Sequence, residues 1–424
     1  MNTLTFYKIH LKVHAIDFIQ KNLMPIIAFI YLIWGTLSFR REKGLKRIMA
    51  SHRYYPFRIT TRIIKYHLNF IQKNAINLFD GDDSAGEAIQ KKRGLVIKEP
   101  IYKDDGLCAE KGVYLITFTG TLQYYIKNID VDKLQKDFYI VLEPSWAGYC
   151  LSEILWWSKL QEPVFIQATE KRDFEFLSTI SDKLIPLSFG ASDWVNPNTF
   201  FPIPSTPKIY DCVYVSNYNT IKRNFVFLNA LRKINDPTYK AALICSGWGE
   251  TREYNLALIK KYKLEGKLEL IESVNQKELN IILNKAKVNI LLSLKEGSNR
   301  SIFEGFFAGT PGIILSNNIG VNKNYFTKQS GMTIQENQLV KTLIYFKHNS
   351  DKYNPNKWGT DNISIFKTKE KLDNILKEHA KKQSLNWTVG THLKINAPEA
   401  ELFEHKEKLI DNADILEKYL KKMI

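Results

Sequence analysis

Two series of short apolar runs, divided by a proline-rich break, constrain this chain more than any other feature. The first series lies at 95–97, 113–118, 138–142, 164–166 and 184–187. The second lies at 210–215, 241–245, 267–271 and 288–294, and 312–315 closes it. Helix-length segments or loops separate the runs. Strands buried on both faces read as continuous apolar runs, and their alternation with helical segments marks a parallel sheet covered by helices. Between the series, NPNTFFPIPSTP sets Pro197, Pro202, Pro204 and Pro207 within residues 196–207, which reads as a linker. The chain is therefore expected to be α/β, with two doubly wound domains at 94–204 and 205–340 facing across a cleft. Ligands of such sheets bind at the carboxyl ends of the strands. Residues 341–424, rich in Lys and Glu with helical periodicity, are expected to form a helical tail packing on both domains.

Residues 1–93 read differently, as a basic and apolar helical leader. Of the formal charge of +16, about +11 falls in residues 1–79, where Asp17 and Glu42 are the only acids. Such a segment favours an anionic membrane surface. The uncharged run 22–39 would form a helix of about 27 Å, just short of a ~30 Å hydrocarbon core. Arg40, Arg41, Lys43, Lys46 and Arg47 follow it and suit the cytoplasmic side, although Lys8, Lys12 and Lys21 make the other flank basic too. Arg58, Arg62, Lys65 and Lys73 then recur at helical intervals among Ile59, Ile63, Ile64, Leu68 and Ile71, a basic amphipathic pattern suited to lying on a membrane interface. Spanning and embedding both remain open. No recognition motif for nucleic acid accompanies the charge. Cys108, Cys150, Cys212 and Cys245 are scattered, without CxxC spacing, and read as reduced packing residues rather than metal ligands.

The chemistry is carried by residues 296–311, EGSNRSIFEGFFAGTP. A strand is expected to end before Glu296, and a short helix to open near Ser301 and carry Glu304. Unpaired amides at that helix start would meet an anionic, hydroxyl-rich ligand. The segment resembles the glutamate–seven–glutamate motif of retaining GT-B glycosyltransferases, particularly glycosyltransferase family four. The resemblance implies two Rossmann-like domains and a nucleotide-sugar donor. By position, Glu296 would contact the donor sugar, Glu304 the ribose, and Ser298, Asn299, Arg300 and Ser301 would form the loop at the diphosphate or sugar. Asn299-Arg300 departs from the family pattern; Arg300 is either a phosphate ligand or a surface arginine.

Other segments extend the resemblance. In 214–224, YVSNYNTIKRN, Lys222 matches the family lysine that neutralises the donor diphosphate. Asn217 stands where the family has arginine, and Arg223 or Arg300 is expected to replace it. Gly247 and Gly249, in the turn around Trp248, and Val274 fall where the family's backbone approaches the nucleotide. Gly120 lies in an expected strand-and-turn of the amino-terminal domain, on the donor or acceptor side. The family's histidine is absent, with Ala168 in its register, and Glu143 and Glu170 are the polar residues nearby in that reading. Asp130-Val131-Asp132 resembles a metal-binding DxD but lies in a polar stretch and reads as surface charge.

The resulting expectation is a hexosyltransferase at the cytoplasmic face of the membrane. It would move sugar from a nucleotide sugar to a saccharide or lipid-linked acceptor in surface polysaccharide or glycolipid assembly. Retention of configuration is what the family resemblance implies. No cofactor and no metal are expected, because basic side chains and helix N-termini can neutralise the leaving diphosphate. Two alternatives stand beside it: a GT-B nucleotide-sugar epimerase or hydrolase, and an inactive GT-B membrane scaffold.

Overall fold

The computed structural model describes residues 2–38, 41–79, 86–247, 249–396, 400–402 and 412–421. Phe39, Arg40 and residues 80–85 of the expected leader, and Trp248, lie outside the described residues. The chain forms two compact units, Met1–Leu23 with Val195–Ser364, and Met24–Trp194 with Ile365–Ile424.

In the first unit six parallel strands make one sheet, in the spatial order Leu268–Glu272, Ala241–Ser246, Cys212–Asn217, Asn289–Leu291, Gly312–Leu315 and Gly331–Ile334. In chain order this is 3-2-1-4-5-6, so the direction of winding reverses between Cys212–Asn217 and Asn289–Leu291. That reversal opens the crevice in which doubly wound sheets bind ligands. Val213, Tyr214, Leu243, Ile313 and Ile314 are wholly buried, as their uninterrupted apolar runs require. The helix Gln276–Asn284 starts at Asn275, whose side chain accepts from the Glu278 amide while Glu278 reaches back to the Asn275 amide.

The second unit has a five-stranded sheet in sequential order: Gly94–Lys98, Gly112–Thr117, Phe138–Glu143, Val164–Gln167 and Leu184–Leu187. Only the first pairing is antiparallel. Successive residues feed opposite faces. Val96, Tyr114, Ile116, Ile140 and Ile166 join one core, while Leu95, Ile97, Leu115, Val141 and Phe165 join another. The long helix Ile365–Lys382 covers the second face with Ile365, Leu372, Leu376 and Ala380.

These units redraw the expected boundaries. The proline-rich segment is no free tether. The Phe201 amide donates to Asn280 Oδ1 at 3.2 Å, the Ile203 amide to Asn284 Oδ1 at 2.6 Å, and Phe200 is buried. The expected tail divides as well. Leu343 and Phe346 of Leu339–Asn349 enter the first unit's core, and only from Ile365 does the chain belong to the second unit.

The leader divides too. The helix α1 (Thr3–Phe18) belongs to the first unit, with Val13 buried and Phe6 against Tyr254 at 5.5 Å between ring centroids. After the π turn Ile19–Leu23, α2 (Met24–Thr36) belongs to the second unit and pairs with α3 (Arg41–Tyr54). There Gly35 and Gly44 touch backbone to backbone: a Cβ on Gly44 would lie 2.6 Å from the Gly35 carbonyl oxygen. The amphipathic segment becomes α4 (Arg58–Tyr66) and a short helix Leu68–Lys73, broken at His67. The helical stretch Thr3–Thr36 is long and apolar enough to cross a membrane by length and composition.

Candidate functional site

Lys222 and Glu296 meet at the sheet reversal. One follows the first strand of the unit and the other follows the fourth. Lys222 Nζ lies 2.7 and 3.0 Å from the two Glu296 carboxylate oxygens. Both side chains are largely buried. Ser293 Oγ also donates to Glu296 at 2.5 Å, and the Glu296 amide is fixed by the Ile319 carbonyl at 2.8 Å. Sequence reasoning passed over Ser293, whose position three residues before Glu296 inside an apolar run was the available signal.

The loop that presents Lys222 is closely held. Asn219 accepts from the Ile221 amide at 3.0 Å, the Tyr214 hydroxyl donates to the Lys222 carbonyl, and Thr220 donates to Glu250. Tyr214 is wholly buried, and burial, then the Glu296 charge, pushes its phenol well above the usual tyrosine range. It therefore stays a neutral donor. Gly249 (φ 124°) packs on the same loop, and a Cβ there would sit 2.2 Å from the Tyr218 carbonyl carbon. Asn217 occupies the arginine position of the resemblance, and its side chain accepts from the Asn219 amide at 3.0 Å, so it shapes the turn.

Arg223 corrects an expectation. It is 2% exposed, and its guanidinium is committed within the protein rather than to a ligand. Nε donates to Asp17 at 2.6 Å, Nη1 to the Leu292 carbonyl at 2.7 Å, and Nη2 to Glu336. Lys21 closes the network on Asp17 at 2.7 Å and Glu336 at 2.6 Å. Arg223 also adopts the left-handed conformation (φ 57°, ψ 39°) at the start of helix Asn224–Lys233. That conformation is uncommon for a residue with a side chain and persists where its surroundings fix it. Asp17, Lys21 and Glu336 were invisible to motif reading, since they lie far from Arg223 in sequence.

On the other side, Asn299 precedes the cap residue of the short helix Ser301–Phe307, and its side chain accepts from the Ile302 amide at 3.1 Å and from Ser301 Oγ at 3.0 Å. Asn299 and Ser301 thus hold the loop in shape. Arg300 is half-buried at the cap position, and among the described residues no carboxylate lies within ion-pair distance of it. Glu304 is buried, and among the described residues nothing donates a hydrogen bond to its carboxylate. Burial raises its pKa, against the opposing charge of Arg300. Ser298 lies in the same loop, half-buried.

The remaining expected residues spread more widely. Gly247 is exposed after strand Ala241–Ser246, with open space where a Cβ would be, and Val274 is half-buried after strand Leu268–Glu272. Gly120 is in the second unit and does not form a tight turn. It lies in the first turn of helix Thr119–Asn128, and the positive φ falls on Phe118 instead. Glu143 is held by Lys394 at 2.7 Å in a buried pair, and Glu170 caps helix Lys171–Ile180. Asp130 caps helix Val131–Asp137. Among the described residues no three His, Cys, Asp or Glu side chains come together as metal ligands.

The strand orders and the Lys–Glu pair at a sheet reversal define the class: an α/β protein with the GT-B fold. The sucrose-phosphate synthase of Thermosynechococcus elongatus has a similar fold, with a TM-score of 0.51 at 12% identity, over 63% of this chain and 73% of that one. Anabaena HepE in complex with UDP and glucose aligns over 62% of this chain and 78% of its own, at 12% identity and a TM-score of 0.48. A TarM mutant of S. aureus with UDP aligns over 63% and 53%, at 13% identity and a TM-score of 0.46. A search of curated proteins finds no match. Residues 197–360 match the family described as "Glycosyl transferases group 1". The protein is a glycosyltransferase.

Proposed function

We propose that this glycosyltransferase moves a hexose from a nucleotide sugar to a saccharide or lipid-linked acceptor at the cytoplasmic face of a membrane, in surface polysaccharide or glycolipid assembly. The Lys222–Glu296 pair at the strand reversal carries the reading. A donor diphosphate entering the crevice would draw Lys222 onto its oxygens and release Glu296 to the sugar hydroxyls. Glu304, a buried carboxylate with no donor among the described residues, suits the ribose hydroxyls. Arg300 suits the phosphate because its fixed fork matches phosphate oxygens.

In the reaction, the bond from the anomeric carbon to the phosphate oxygen breaks and the nucleoside diphosphate leaves with the electron pair. The acceptor oxygen bonds to the anomeric carbon, and its proton passes to the leaving phosphate. Retention places acceptor and leaving group on one face of the sugar, which puts that phosphate oxygen within reach of the proton. Lys222 supplies the charge neutralisation that a metal ion supplies elsewhere.

Membrane association rests on the leader. Asp17 ties α1 to Arg223, and α2 alone is about 20 Å long, too short for a ~30 Å core. Embedding in the interface is therefore the reading we adopt over spanning.

The test begins with a thermal-shift screen of nucleotide sugars on the full chain, since a specific donor raises stability by mass action. Transfer of the selected sugar is then measured for wild type, Glu296→Ala and Lys222→Ala. Each substitution is expected to lower kcat/KM by roughly a hundredfold or more. Undiminished transfer by both variants would remove the site assignment. An epimerised or free sugar as sole product would replace transferase by epimerase or hydrolase, and no nucleotide binding at all would leave the scaffold reading.

A further inference from the structure

Within the second unit, a cavity of about 620 Å³ opens between α4 and the helix Lys171–Ile180, with Arg58, Arg62, Arg172, His52, Glu175 and Phe176 among its walls. Among the described residues no carboxylate lies within ion-pair distance of Arg58, Arg62 or Arg172. Glu175 is the one acid among these walls and faces Lys171 instead, at 3.5 Å. Arg172 is fixed from behind, its Nη2 donating to the carbonyls of His52 at 2.9 Å and Arg53 at 2.6 Å. Lys65 adds a further cation at the rim, bonded to the Thr179 carbonyl at 2.8 Å. Burial and the neighbouring arginines hold His52 neutral, so the positive charge here is arginine and lysine.

The cavity mouth continues into an apolar surface. On α2, Ala28, Leu32 and Gly35 turn inward, and the buried Ser51 Oγ donates to the Ala28 carbonyl at 2.6 Å. The opposite face leaves Ile26, Phe29, Ile30, Ile33, Trp34 and Leu37 exposed, at intervals of three and one that place them in a single stripe. Phe29 meets Phe57, the residue before Arg58, with ring centroids 6.4 Å apart. Arg47 lies over Trp34 at 5.7 Å. Tyr54, Tyr55, Ile59 and Tyr66 are exposed alongside. An exposed apolar stripe edged by aromatic rings and uncompensated cations matches the depth profile of one side of a bilayer. Rings settle at the headgroup level, alkyl chains below it, and arginines at the phosphates.

The geometry points to an anionic phospholipid surface as the occupant: α2 lies in the interface on its Ile26–Leu37 stripe, and the Arg58–Arg62–Arg172 cavity takes a lipid phosphate headgroup. This inference rests on the membrane-surface part of the function proposed above and is independent of the donor site. A water-filled crevice for a soluble anion would not need the stripe. A protein partner of matching chemistry would have to be at once acidic and broadly apolar over one continuous face.

The test is co-sedimentation of the full chain with vesicles of phosphatidylcholine alone or with about 30% phosphatidylglycerol. Wild type is expected to prefer the anionic vesicles, and Arg58→Ala/Arg62→Ala to lose roughly thirtyfold in partitioning. Lys377→Ala/Lys381→Ala, which removes the same charge elsewhere on this unit, is expected to bind nearly as wild type. Phe29→Glu/Trp34→Glu is expected to abolish binding to both compositions. Retained thermal stability and donor hydrolysis would show that each variant is folded. If the arginine variant binds as wild type, or no more weakly than the lysine control, the headgroup cavity is refuted while membrane association stands. If wild type ignores anionic vesicles, both are refuted. If millimolar glycerol 3-phosphate raises the Tm of wild type while the stripe variant binds the anionic vesicles as wild type does, the cavity is a soluble-anion site and the lipid assignment is refuted.

Discussion

Replacing Asp17 by alanine tests whether the amino-terminal helix is part of the catalytic unit. Asp17 accepts from Arg223 at 2.6 Å and from Lys21 at 2.7 Å, and Arg223 is 2% exposed. The four-member network holds two cations and two carboxylates, so removing Asp17 leaves one positive charge in excess beside a buried guanidinium. Deleting one partner of a buried ion pair costs about 3–5 kcal/mol. Glu336 still holds Arg223, and its side chain is 32% exposed, which sets the expectation at the lower end, about 3 kcal/mol. For a domain of this size that corresponds to a fall in Tm of about 6–12 °C. Buried pairs are weakly screened, so the fall should persist near 1 M salt. Asp17→Ala/Arg223→Met, which removes the orphaned charge, should recover most of the loss. Thermal unfolding by circular dichroism reads all three proteins. A fall below about 2 °C for Asp17→Ala, or a double variant less stable than the single one, would refute the reasoning.

Glu304 should make stability depend on pH. Its folded pKa is raised above 4.5 by burial, so the folded protein keeps the proton longer than the unfolded chain does. The stabilisation is full below pH 4.5 and is lost as pH rises through the raised folded value. Glu304→Gln should therefore match wild type in Tm at acid pH and exceed it at pH 7–8, while nucleotide affinity, read by thermal shift, falls. Gly249→Ala meets both a positive φ and backbone 2.2 Å away, and should cost about 2–3 kcal/mol in urea unfolding and lower donor affinity. His52 has the opposite sign. Burial, then Arg172 and Arg53, lowers its pKa from 6.5 to about 3, so its contribution is present above pH 6.5 and lost as pH falls toward 3. In His52→Gln the decline of Tm between those limits should be shallower.

Much of the fold was legible because its evidence is local. All five apolar runs of the first series and those of the second coincide with strands: the central ones are buried on both faces and have no polar positions to hide them, while the edge strands Leu184–Leu187 and Leu268–Glu272 are partly exposed. Lys222 and Glu296 were each marked by resemblance to a family motif, but that they meet depends on the strand order, which brings the two strand ends together and which no local pattern shows. What stayed hidden depends on contacts distant in sequence. Asp17 looked like a stray acid in a basic leader until Arg223, 206 residues away, appeared beside it. For the same reason Arg223 read as a phosphate ligand. An arginine after a strand looks the same whether it faces a ligand or its own protein, and only burial separates the two cases. Gly120 misled because Phe118, which no rule favours at positive φ, makes the turn in its place.

These placements imply how a distant segment can act on the donor chemistry. The carbonyl of Lys222 is held by Tyr214, and the next residue is pinned by Asp17, Glu336 and Leu292. Gly249 packs beneath the preceding residues of the same loop. Lys222 therefore inherits its position from a strand residue, a glycine turn and α1, rather than from its own flexible stem. Loss of the α1 contact should lower kcat through misplacement of the Lys222 ammonium, even with every residue of the 296–304 segment intact. Asp17→Ala should then reduce transfer more than it reduces donor affinity, whereas Glu304→Gln should do the reverse. Equal losses in kcat and affinity for both variants would mean that the loop acts as one rigid binding surface, with no separate positioning by the amino-terminal helix.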